Sequence, residues 1–155
     1  MRLSDILPVQ RVIVDSDGLM VSNKESALKL LAQLIAPALS ADGDSVFRLL
    51  IDRERLQSTG IGDGVAIPHA SAEAAAGQAA ALLLCPYGVP FEAIDGCPVK
   101  IVFGVVGPRK ATGEHLRTLA RISRLLRDAT TRSRLIDSPT PAAALAVVSE
   151  QDSTL

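Results

Sequence analysis

Two histidines, one arginine and a run of glycines carry most of the chemistry that this 155-residue sequence could perform. In Ser58–Ala70, STGIGDGVAIPHA, glycines stand at Gly60, Gly62 and Gly64. The apolar run Val65-Ala66-Ile67 follows, and Pro68 directly precedes His69. Glycine reaches backbone shapes closed to other residues and has no side chain to hold a ligand away from the amides. Proline fixes φ and has no N–H for a sheet ladder, so the strand predicted over Val65–Ile67 ends at Pro68. A side chain able to react is thereby placed at the mouth of a strand, after a loop rich in unshielded amides. His115 is the second of the two histidines.

His115 falls in the first turn of a helix predicted from Gly113 to about Arg127, with Thr112 as its cap. It projects near the centre of the stripe Leu116, Leu119, Ile122, Leu125 and Leu126. A first-turn position lies beside free amides and the positive end of the helix dipole, which favours a neutral imidazole and nearby anions. A core histidine bonded to backbone is the competing account. Arg53 lies near the centre of the apolar stripe Val46, Leu49, Leu50 and Leu56 on a helix from about Ser45 to Gln57. A charge turned inward is costly unless it is paired or reaches a cleft. Snorkelling past its neighbours or a structural ion pair would serve Arg53 equally well.

The three groups sit on separate segments, so only the fold can unite them. United, they suit a phosphoryl group. A neutral imidazole nitrogen is a nucleophile toward phosphorus. An arginine stabilises the equatorial oxygens, and amides with a second histidine can donate to them. Positioning and charge stabilisation are most of what phosphoryl transfer requires.

Other chemistries fit less well. Gly60-x-Gly62-x-Gly64 is neither G-x-G-x-x-G nor a Walker A loop. No G-x-S-x-G elbow supports a hydrolase. The spacings of two histidines and two cysteines match no standard zinc site, so neither metal nor cofactor is expected. A net charge of −1 and 3% aromatics, with no tryptophan, give little basis for nucleic-acid binding. Arg109, Lys110, Arg117, Arg121, Arg124 and Arg127 surround one helix as a solvated face or a surface for an acidic protein. The N-terminus is broken by Asp5 and Pro8 and does not read as a signal peptide. No apolar run is long enough to span a membrane. Cys85 and Cys97 read as reduced, largely buried thiols of a cytoplasmic protein.

The elements that must position these groups follow from periodicity and punctuation. A short helix over Asp5–Leu7, capped by Ser4, precedes a strand over Val9–Val14. Ser22 and Glu25 have the capping-box form ahead of a helix carrying Leu28, Leu31, Leu34 and Ile35, closed by Pro37. Ser71–Gly77 reads as loop or a helical turn. Buried strands are predicted at Ala79–Cys85, ended by Pro86, and at Val99–Val106. Short helices follow near Thr130–Ile136 and Pro141–Val148, and Gln151–Leu155 reads as a frayed tail. Continuous apolar strands alternating with helices imply one α/β domain, residues 1–150, with its sheet covered on both faces.

The segment from Glu54 to Ala70 resembles the phosphorylation-site signature of enzyme IIA of the bacterial phosphotransferase system, fructose/mannitol/nitrogen-regulatory type. An acidic residue, six intervening residues and Ile61-Gly62-x-x-Val65-Ala66-Ile67-Pro68-His69-Ala70 fit it throughout. The resemblance continues through Val89-Pro90-Phe91-x-Ala93-Ile94-Asp95-Gly96-x-Pro98-Val99 and Glu114-His115-Leu116-x-Thr118-Leu119, and spans roughly Leu3 to Val148. It implies a single α/β domain with a mixed sheet between helices, and a phosphotransferase component. His69 would take a phosphoryl group from an HPr-like phosphocarrier and pass it on. His115 would lie beside it, Arg53 would steady the phosphate, and Asp63 would line the same site. Two outputs are compatible with the resemblance. One is transfer to a separate IIB of a fructose- or mannitol-type permease. The other is phosphorylation-dependent binding of regulatory targets, among them potassium-transport regulators. Leu3-Ser4-Asp5-Ile6-Leu7 before a valine-rich strand is closer to the regulatory branch. A non-catalytic interaction module on the same fold is the third possibility.

Overall fold

Two long antiparallel strands, β5 (Ala79–Val89) and β6 (Val99–Pro108), form the centre of the sheet in a computed structural model that describes residues 1–73 and 75–155. β1 (Val12–Val14) runs parallel to β5 on one side, with Val12 opposite Leu82. On the other side β3 (Val65–Ala66) and β4 (His69–Ala72) both lie parallel to β6, at successive places along it. β2 (Gly60–Gly62) pairs antiparallel with β3 at the edge. The sheet is therefore mixed, as expected.

Alternation along the strands separates two cores. Ala79, Ala81, Leu83 and Cys85 of β5, with Val102 and Val106 of β6, face α1 (Lys24–Ile35) and α2 (Gly43–Leu56). Ala80, Leu82 and Leu84, with Ile101, Phe103 and Val105, face α3 (Thr112–Arg127), α4 (Ala129–Ile136) and α5 (Pro141–Asp152). Both faces are thus covered by helices. Gly104 lets α1 settle closely on the sheet, since a Cβ there would meet Leu31 Cδ1 at 2.9 Å. Among the described residues no helix is long and apolar enough to cross a membrane.

Several boundaries differ from expectation. Val9–Arg11 forms a 3-10 turn, and only Val12–Val14 is strand; the first turn spans Leu3–Asp5 rather than Asp5–Leu7. The cap of α1 is Asn23, not Ser22: its side chain accepts from Ser26 N at 2.8 Å, and Ser26 Oγ accepts from Asn23 N at 3.1 Å. Serine replaces glutamate in the return half of that box. Thr112 is the first residue of α3, and its hydroxyl donates to Arg109 O rather than capping. Ser71 and Ala72 belong to β4; residue 74 of the expected loop lies outside the described residues.

Pro86 does not end β5. The ladder with β6 shifts register between Leu84 and Val89, and such an irregularity accommodates a residue that cannot donate. Tyr87 then anchors the extension, its hydroxyl donating to the buried Asp15 at 2.6 Å. Cys85 is buried, and that burial pushes its thiol up to about 11. Cys97 is exposed, contrary to expectation, because it lies in the loop outside both strands.

The expected frayed tail starts inside α5. Asp152 is 2% exposed, accepts from Leu3 N at 2.8 Å and pairs with Arg121 of α3. Arg121 is accordingly not part of a free basic face. Replacing Asp152 by alanine would strand the Leu3 amide and half-buried Arg121. We expect a loss of about 1.5–3 kcal/mol in urea unfolding, the range for a hydrogen bond to a charged group.

Candidate active site

The turn at Pro68 aims His69 at α3. Pro68 gives its carbonyl to Val105 N at 3.0 Å, and His69 then pairs with Val105 as the first residue of β4. Residues opposite each other across parallel strands share a face, and Val105 belongs to the core under α3. The imidazole is therefore directed toward that helix. There it meets His115, the rings tilted by 51° with centroids 6.1 Å apart. His115 is 7% exposed in the first turn of α3. Its Nδ1 is buried without a hydrogen-bond partner among the described residues, so it is not a backbone-bonded core histidine. Gly107 makes room for it, since a Cβ there would lie 3.1 Å from His115 Nδ1.

His69 Nδ1 lies 2.7 Å from the carbonyl of Ile67. A carbonyl only accepts, so Nδ1 carries the proton and Nε2 presents its lone pair. Both imidazoles are held below the ordinary histidine range. For His69 burial is the largest cause, opposed by the Ile67 hydrogen bond and reinforced by the charge of Arg53; Glu54 acts in the opposite sense to Arg53. For His115 burial dominates and His69 adds to it. Neutral rings at pH 7 are the form a nucleophilic nitrogen needs.

This depression has a consequence for stability. The unfolded chain binds protons at these histidines below about pH 6.5, whereas the folded chain resists. Unfolded protein then holds more protons, so stability falls as pH drops below that value. Thermal unfolding from pH 8 to 5.5 is expected to show this decline, and H69Q/H115Q to flatten it; an equal slope in the double variant would contradict the assignment.

A cleft of about 250 Å³ lies in front of His69, bounded by Arg53, Gln57, Ser58, Thr59, Ile61, Ile67, Leu119 and Ser123. Arg53 is half-buried at the end of α2, and its Nη1 donates to Gln57 O at 2.9 Å. His69 and Arg53 thus meet at the cleft from β4 and α2, and His115 of α3 stands against the His69 ring without bounding the cleft itself. The cleft offers a nucleophilic nitrogen and a guanidinium to one small anion, with a second imidazole beside the first.

The glycines and Asp63 are placed differently from expectation. Gly62 and Gly64 take positive φ, +96° and +75°, and with Asp63 at +56° they turn the chain between β2 and β3. Gly60 N donates to Ser58 Oγ at 3.1 Å, and a Cβ on Gly60 would lie 2.9 Å from Ala93 Cα. Their conformational freedom serves the hairpin. Asp63 N donates to Asp95 Oδ2, and Asp63 borders a neighbouring depression with Ser123 and Arg127 rather than the His69 cleft.

Glu54 went unassigned in the sequence, although it opens the signature and adjoins Arg53. It is 5% exposed on α2. The inward face of α2 runs through Val46, Leu50 and Glu54, while Leu56 is 82% exposed. Counting leucines alone rotates the apparent stripe away from this carboxylate. Leu116, also assigned inward, is 60% exposed beside the cleft helix face.

Residues 6–151 match the family described as phosphoenolpyruvate-dependent sugar phosphotransferase system, EIIA 2. A nitrogen regulatory protein of Pseudomonas aeruginosa is 37% identical over 148 residues, covering 95% of this chain and 94% of that protein. A fructose-specific EIIA component of Haloferax volcanii is 29% identical over 137 residues, covering 88% and 87%. The crystal structure of nitrogen regulatory protein IIA-Ntr from Neisseria meningitidis superposes with a TM-score of 0.88 at 30% identity, covering 94% of this chain and 98% of that one. With this match over nearly its whole length, the chain belongs to the type-2 EIIA family of the phosphotransferase system.

Proposed function

We propose that the protein is a phosphohistidine carrier with a regulatory output, loaded by an HPr-like phosphocarrier protein. The observation that carries this reading is that His69 and Arg53 bound one cleft from separate elements, with His115 of a third element against the His69 ring. The Nε2 lone pair of His69 attacks the donor's phosphorus. The N–P bond of the donor breaks, and its electron pair returns to the donor imidazole. The His69 ring gains positive character as the new bond forms, and the Ile67 carbonyl keeps accepting its Nδ1 proton. Arg53 faces the charge spread over the equatorial oxygens. Asp63 and the three glycines support the hairpin beside this site without touching the group transferred.

The similarity to nitrogen regulatory proteins favours a regulatory output, here through phosphorylation-dependent binding of targets. Ile61, 51% exposed at the cleft, gives the site an apolar edge that a partner protein can cover. The fructose-specific relative supports a second reading, in which His69 passes its phosphoryl group to a separate IIB.

Incubation with phosphoenolpyruvate, enzyme I and an HPr-like carrier tests the proposal. An acid-labile, base-stable adduct of one phosphoryl group is expected. No adduct with any such carrier would overturn it, and would leave a non-catalytic binding module. Onward transfer to a fructose- or mannitol-type IIB would select the second reading.

A further inference from the structure

We propose that Glu54 is a positioning residue for His69, acting through Thr59 and the Ile67 carbonyl with Lys24 as its counter-ion. The proposal rests on the reading of His69 as the phosphoryl carrier, and deepens it. A carboxylate buried on the inward face of a helix is expensive, and its partners show what it does there. Both Glu54 oxygens accept from Thr59 N, at 3.2 and 2.8 Å, and Oε1 also accepts from Thr59 Oγ1 at 2.5 Å. Thr59 is itself 4% exposed. Its carbonyl accepts from Ile67 N at 3.0 Å, across the base of the β2–β3 hairpin. Ile67 in turn presents the carbonyl that takes the Nδ1 proton of His69. Three consecutive hydrogen bonds therefore run from α2 to the ring that reacts.

Lys24, at the start of α1, completes the arrangement. Its Nζ lies 3.3 Å from Glu54 and 3.2 Å from Glu92, and 5.4 Å from the centre of the Phe91 ring. The pair ties α1 to α2 behind the cleft, while Arg53, one residue earlier, turns into it. Glu54 and Arg53 also bear on the His69 ring with opposite charge. Ile67 follows a hairpin built on glycines, and a hydrogen bond at its base is what holds the carbonyl in one direction. Loss of that direction frees the imidazole to take the other tautomer, in which Nε2 carries the proton and cannot attack.

The test compares wild-type protein and Glu54→Gln by long-range 1H–15N NMR of His69, and by the rate of phosphoryl uptake. Wild-type His69 is expected to carry its proton on Nδ1. The variant is expected to show a mixture of tautomers and uptake slowed about 100-fold, the scale of misplacing a reacting group. A residue that only stabilises the fold would lower the melting temperature without changing the tautomer. Should Glu54→Gln fail to fold, Thr59→Val removes one bond of the relay, and a smaller change of the same kind is expected. A proton on Nε2 in the wild type, or an unchanged tautomer and rate in the variant that folds, would overturn the proposal. Absence of uptake by wild-type protein would count against the carrier reading, while the tautomer still decides the role of Glu54.

Discussion

His69→Ala is expected to abolish phosphoryl uptake, by at least about 10⁴-fold, the scale on which an enzyme loses its nucleophile. The fold should survive. His69 is only half-buried, its ladder bonds to β6 are made by backbone, and Ala70 already stands next to it in the same strand. A change in stability within about 1 kcal/mol is expected, which circular dichroism melting will check. His115 is not expected to substitute. Its Nδ1 is buried against Gly107, and among the described residues no carbonyl fixes the proton that would free the other nitrogen for attack. His115→Ala should therefore still accept phosphate, more slowly. Retained uptake in His69→Ala, or its loss only in His115→Ala, would reassign the acceptor.

Arg53→Ala is expected to slow uptake by roughly 100-fold or more, the usual effect of removing one donor aimed at charge that develops during transfer. Arg53→Lys should recover only part of this. Lysine restores a point charge, but not the planar fork that can span two phosphate oxygens. It also loses the geometry that lets Nη1 bond Gln57 O while the rest of the guanidinium faces the cleft. The lifetime of the phosphorylated protein should shorten in both variants. Unchanged rate and lifetime with a lowered melting temperature would make Arg53 a helix-end residue and nothing more.

The chemistry-bearing residues were easier to find in the sequence than their surroundings. β5 and β6 announce themselves because both faces are covered, so nearly every residue is apolar. Pro86 misleads because a shift of register, invisible to periodicity, carries the strand past it. Arg53 and His115 stand out as polar residues near apolar stripes, and the fold brings Arg53 to the cleft and His115 against His69. Glu54 hides for the complementary reason. A buried glutamate looks like a surface one until its partners, Lys24 thirty residues earlier in the chain and Thr59 beyond the helix, are in place. Asp152 hides in the same way, since its partners are Leu3 and Arg121. Permissive backbone suits both a loop around an anion and a tight hairpin, and the pairing between β2 and β3, which the glycine spacing does not announce, makes this stretch a hairpin.

The central claim is that His69 carries phosphate on Nε2 while Nδ1 stays bonded to Ile67. Long-range 1H–15N and 31P NMR on protein loaded by an HPr-like carrier measures this directly. A single phosphohistidine is expected, on Nε2 of His69, with the Nδ1 proton retained. Phosphate on His69 Nδ1, or on His115, would contradict it.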